Sequence, residues 1–123
     1  MSEKTEQKLL VSWFRYQYKP YKIIAIPNAQ KFLGKAKNIF AMINSMIAEG
    51  FVKGTSDLFI AKPVGDYAGL WLEMKDKCKS YDDVEENQRI FIQDMLDAGY
   101  YATWAAGFES GQRVIQDYMN GLL

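Results

Sequence analysis

The chain has no histidine. That excludes His-based zinc sites, Ser-His-Asp triads and Cys-His dyads built from its own residues. It has one cysteine, Cys78, so no disulfide framework and no Cys-type zinc site is expected. Nothing near 18 consecutive apolar residues occurs, which leaves no candidate transmembrane helix. The opening MSEKTEQKLL lacks the apolar run of a signal peptide. The expectation is a protein of the cytoplasm that keeps clear of membranes. Acid–base chemistry is thereby left to carboxylates, Lys, Tyr or metal-bound water.

What is present is enough apolar material for a core. Hydrophobic residues are 49% of the 123, and the length suits a single domain spanning 1–123. The formal net charge is zero, but it is unevenly spread. Residues 1–81 carry 13 Lys/Arg against 7 Asp/Glu, and residues 82–123 carry 2 against 8. A positive field over part of the surface is compatible with that pattern; so are ordinary solvated helix faces.

Hydrophobic spacing orders the chain. EKTEQKLLVSWFRYQY (3–18) reads as an amphipathic helix with Leu9, Leu10, Trp13 and Phe14 on its stripe, Glu6 one turn earlier, Ser2 or Thr5 as cap and Pro20 as stop. YKIIAIPNA reads as a strand closed by Pro27. QKFLGKAKN reads as a basic loop. AKNIFAMINSMIAEG reads as a helix with Ile39, Phe40, Ile43, Met46 and Ile47 at helical spacing and Gly50 as its stop. DLFIAKP and AGLWLEMK read as a hairpin about a GDY turn. A third helix from about Asp82 presents Val84, Gln88, Phe91, Ile92, Met95 and Leu96. YYATWAA is a fourth strand, and FESGQRVIQDYMNGLL a last helix. The order α, β, α, β, β, α, β, α predicts an α/β fold, a mixed sheet flanked by helices.

The hairpin raises the chemical question. In GTSDLFIAKPVGDYAGLWLEMK, strand alternation puts Trp71, Glu73 and Lys75 on one face. Pairing of 58–62 with 69–74 brings Asp57 beside Glu73 and Lys75. Two adjacent carboxylates repel unless something neutralises them. A hard divalent cation such as Mg²⁺ does so with oxygen ligands, and a lysine alongside can position a water. Spacing alone leaves ordinary exposed charges as the alternative reading.

GTSDLFIA, then GLWLEMK, then ENQRIFIQDMLDAGYYATWAAG, resemble the VRR-NUC domain (virus-type replication-repair nuclease) of the PD-(D/E)xK nuclease superfamily. The resemblance covers almost the whole chain and is strongest for the stand-alone phage type. It implies a restriction-endonuclease-like fold with a central four-stranded mixed sheet. It implies a Mg²⁺- or Mn²⁺-dependent endonuclease cutting DNA, with branched forms such as Holliday junctions preferred, and a homodimer acting in the host cytoplasm. It makes Asp57 the central metal ligand, Glu73 the second, the Met74 carbonyl a further one, and Lys75 the residue that orients the attacking water. Glu6 becomes the first-helix glutamate of the metal site, and Gln88 the late-helix glutamine beside it. Pro27-Asn28 matches a feature near the substrate entrance. Ser56 departs from the pattern, standing where the superfamily name has proline.

Asn28, Lys31, Lys35, Lys37, Lys53 and Lys77 are the expected DNA contacts, tracking phosphates. Trp13, Trp71 and Trp104 are expected in core or interface rather than as base-stacking platforms. The rival expectation is a junction-binding or assembly module without cleavage. A second rival is an RNA-directed or nucleotide-hydrolysing enzyme, and the nucleotide option is weakened because no Walker-type Gly-rich loop is present.

Overall fold

A computed structural model of the protein describes residues 1–27 and 37–123. Asn28, Lys31 and Lys35 lie outside the described residues, so the DNA contacts expected of them have no structural account. The apolar runs become the strands of one sheet: β1 (Ile23–Ala25), β2 (Leu58–Ile60), β3 (Leu70–Lys75) and β4 (Tyr101–Ala106). Their spatial order is β1-β2-β3-β4. β1 pairs antiparallel with β2, β2 antiparallel with β3, and β3 parallel with β4. The expected hairpin forms in the register Leu58–Leu72, Phe59–Trp71, Ile60–Leu70. A parallel β3–β4 pair needs a crossover, and a helix of residues Glu86–Asp97 supplies it.

The described residues form four α-helices, α1 (Glu3–Gln17), α2 (Ile39–Ala48), α3 (Glu86–Asp97) and α4 (Gly107–Met119), of which α1, α3 and α4 pack on the sheet. Ser2 caps α1 through Thr5 N–H at 3.2 Å. Alternation on the strands sets two faces. Leu58, Ile60, Leu70, Leu72 and Met74 are buried in one core with Leu10 and Phe14 of α1 and Ile115 and Tyr118 of α4. Each such side chain contributes about 1.5–3 kcal/mol by leaving water. α1 and α4 cross closely at Gly111, where an added Cβ would lie 2.9 Å from Leu10 Cδ2. On the other face Trp71 stacks among Phe59, Phe91 and Tyr100, with ring centroids 4.5 to 6.3 Å away. The tryptophan of the hairpin is therefore packed in an aromatic cluster, as expected, and supports α3 against the sheet.

Two expectations shift. The third helix starts later than Asp82: a single 3₁₀ turn, Tyr81–Asp83, comes first, and α3 begins at Glu86. Val84 between them is extended (φ −79°, ψ 116°) and buried. α2 buries none of its residues, and Phe40 is 83% exposed; its apolar spacing made a helix but no core face. No helix of the described residues is long and apolar enough to cross a membrane.

Candidate metal and phosphodiester site

Asp57 stands one residue beyond the Leu58–Leu72 pair, so the antiparallel register sets it opposite Glu73. Both side chains share the sheet face of Phe59 and Trp71. Asp57 is tied down: its Oδ2 accepts the Met74 N–H at 2.8 Å. Ser56 before it, the position where the superfamily name has proline, is fully buried, and its Oγ has no hydrogen-bond partner among the described residues. Glu73 is only 3% exposed. Its carboxyl is pushed up to about 10 by burial first, then by a hydrogen bond to Asp57 and the Asp57 charge. The nearby Lys75 ammonium opposes that rise and does not cancel it. Glu73 thus favours its protonated form, because a dry site beside another carboxyl group disfavours its charge.

These two side chains and Lys75 line a cavity of about 350 Å³, together with Gln88, Lys53 and Glu3. It is lined by the ends of the central strands β2 and β3, and the N-terminal turn of α3 forms one wall. Gly54 makes that wall possible. It holds φ +85°, and an added Cβ would lie 2.3 Å from the Asn87 carbonyl oxygen. Only glycine lets the loop before Asp57 press so closely on α3. Gln88 is placed as expected, on the cavity wall. Its Oε1 accepts the Glu85 N–H at 2.9 Å in a capping box, which leaves its amide N–H groups as the donors it can offer.

The first helix places Glu6 outside the cavity of Asp57 and Glu73. That residue is buried away from the cavity, where its Oε1 accepts the Phe108 N–H of α4 at 3.3 Å. α4 follows β4 without a loop, and its N-cap residue Ala106 has no capping side chain. Glu6 supplies the missing acceptor and a negative charge at the positive helix end. Gly107, at φ +86°, lets it approach: a Cβ there would lie 3.3 Å from Glu6 Oε1. Glu3, one turn earlier, is the first-helix glutamate that lines the cavity. Burial and the Asp57 carboxylate push its carboxyl above the usual range. The sequence held a signal for this. Glu6, Leu10 and Phe14 recur every four residues, so Glu6 belongs to the buried stripe.

Of the lysines expected at DNA, Lys53 lines the cavity. Lys37 is exposed at the start of the described segment before α2. Lys77 is exposed, and its Cβ packs by Gly107 at the start of α4 rather than lining the cavity. Among the described residues no three His, Cys, Asp or Glu side chains converge as a ready metal cage. The donor chemistry of the Asp57–Glu73 pair nonetheless fits a hard cation. A divalent ion with oxygen ligands would replace the Glu73 proton, and Mg²⁺ binds through one or two carboxylates while keeping waters and phosphate oxygens.

The fold is a mixed four-stranded α/β sheet flanked by helices, with Asp57 and the Glu73-x-Lys75 pair at the mouth of its central hairpin. No protein-family model matches the chain, and no curated protein does. Among solved structures it is similar to a VRR_NUC domain protein, at 26% identity and a TM-score of 0.76, over 98% of this chain and 90% of that one. The likeness bears out the VRR-NUC resemblance and the α/β fold read from the sequence.

Proposed function

We propose that this domain is a Mg²⁺- or Mn²⁺-dependent DNA endonuclease that hydrolyses phosphodiester bonds, with branched DNA such as four-way junctions as its substrate. The observation that carries the reading is the buried Glu73 set beside the half-buried Asp57, with Lys75 in the same cavity. Asp57 and Glu73 would hold the cation, with the Met74 carbonyl and Glu3 as further oxygens near it. The ion, when bound, polarises the scissile phosphate and lowers the pKa of a water.

The chain's own residues do the rest. The Met74 N–H fixes the Asp57 carboxylate, so its lone pairs point in a set direction. The Lys75 ammonium holds the attacking water and offsets charge developing on the phosphate oxygens. Gln88 donates to the same water or to the lysine's shell. Lys53, on the cavity wall, receives a neighbouring phosphate. Two symmetric cuts in a junction need two such sites, which a homodimer provides.

The test is direct. Wild type and Asp57→Ala are incubated with four-way junction, flap and duplex DNA plus Mn²⁺. Cutting by wild type, lost in Asp57→Ala, is the expected result. Equal cutting by both overturns the site. Binding of junctions without cleavage under any cation favours a binding module instead.

A further inference from the structure

α1 has a second face that the nuclease site does not use. Its buried stripe is Glu6, Leu10 and Phe14. Lys4, Lys8 and Arg15 are exposed, on the side that lines a groove of about 860 Å³. The spacing puts them in line along one helix face. From Lys4 to Arg15 is 11 residues, about 16 Å along the axis. The opposite wall comes from the end of β1, Ile26 and Pro27. β1 is an edge strand of the sheet.

The groove is continuous with the cavity at Asp57. Glu3, Pro27 and Asp57 line both. A chain of phosphates leaving the scissile position would therefore pass from the acidic pair directly onto the basic row. The groove is concave and also lined by Val11 and Ile26. That mixture suits a flexible single strand, whose phosphates meet cations while its sugars and bases meet apolar surface. A duplex presents a convex rod of phosphates and keeps its bases inside.

We infer that Lys4, Lys8 and Arg15 of α1 seat the phosphates of a single-stranded segment running from the cleavage site along the α1–β1 groove. The inference rests on the nuclease reading above. It names α1, rather than only the lysines flanking the acidic motif, as a substrate-binding element. It also gives a physical source for structure selectivity: a strand that separates from its duplex at the cut can enter the groove, and one held in a continuous duplex cannot.

The experiment compares wild type with the Lys4→Gln/Lys8→Gln/Arg15→Gln variant. All three side chains are exposed, and circular dichroism and melting check the fold. Binding is measured with Ca²⁺ in place of Mg²⁺, on a labelled duplex ending in a single-stranded oligo-dT tail and on the same duplex blunt, across a salt series. Three phosphates on a single strand add about 2 to the log–log salt slope, or roughly 20-fold more affinity lost between 50 and 200 mM salt. Wild type should show that increment for the tailed substrate over the blunt one, and the variant should lose it. If the variant keeps the wild-type increment, the groove is not the strand path. If it loses tailed and blunt binding equally, the row contacts duplex and the single-strand assignment falls. Wild type that neither binds nor cuts any DNA defeats the nuclease reading itself, whereas wild type that cuts with an unaltered variant defeats only the groove.

Discussion

The Asp57 carboxylate accepts the Met74 N–H at 2.8 Å, a bond between the end of one hairpin strand and the backbone of the other. It fixes the first acidic side chain to the strand that carries the second. The site is thus part of the sheet's own hydrogen bonding, and preorganisation comes from the same contacts that hold the hairpin.

That bond separates two substitutions. Asp57→Asn keeps an oxygen for the Met74 N–H and loses the charge. Its stability should stay near wild type, while cutting falls by at least about 10²-fold. Asp57→Ala should lose cutting and about 1 kcal/mol of stability as well. Denaturant melts beside cleavage rates distinguish the two, and equal stability of both variants would contradict the role given to the bond.

The two glutamates of α1 should part company in the same pair of measurements. Glu6→Ala removes the acceptor for the Phe108 N–H, so it should cost about 1 kcal/mol or more of stability and leave the cutting rate of the folded fraction unchanged. Glu3→Gln should leave stability within about 0.5 kcal/mol and reduce cutting or raise the Mg²⁺ concentration needed for it. The opposite pattern would return Glu6 to the metal site.

Glu73 makes the metal-free protein sensitive to alkali. Burial and the neighbouring Asp57 push its folded carboxyl up to about 10, while the unfolded group releases its proton near the ordinary carboxylate value of 4.5. Between those values the folded state binds more protons than the unfolded one, so stability falls as pH rises. The slope from this one group is at most about 1.4 kcal/mol per pH unit. Chemical denaturation in EDTA from pH 5 to 9 should show the decline, and Glu73→Gln should flatten it. A divalent cation that displaces the proton should flatten it too, with affinity rising as pH rises.

Gly54→Ala meets two obstacles at once, a φ of +85° and the Asn87 carbonyl oxygen 2.3 Å from its Cβ. The loop must move off the N-terminal turn of α3, where Gln88 sits. The expected result is a loss of about 1–3 kcal/mol together with reduced cutting. A variant as stable and as active as wild type would show that the close approach is dispensable.

The strand reading survived because a strand's period of two is local. Alternation put Trp71, Glu73 and Lys75 on one face before any packing was known, and the hairpin register then set Asp57 opposite Glu73. α2 shows the converse. Its apolar spacing specified a helix, but whether that face is covered depends on neighbours, and among the described residues none of its side chains is fully buried.

By itself the sequence determined the order of elements, the acidic hairpin and the absence of histidine chemistry. Only the tertiary structure decided which glutamate of α1 meets the acidic pair, and that Lys4, Lys8 and Arg15 border a groove leading from it. A helix carries its residues at fixed angles to one another, but its rotation about its own axis is set by what it packs against. Burial of Leu10 and Phe14 against β3 and α4 fixed that rotation, turning Glu6 to the uncapped end of α4 and Glu3 to the cavity.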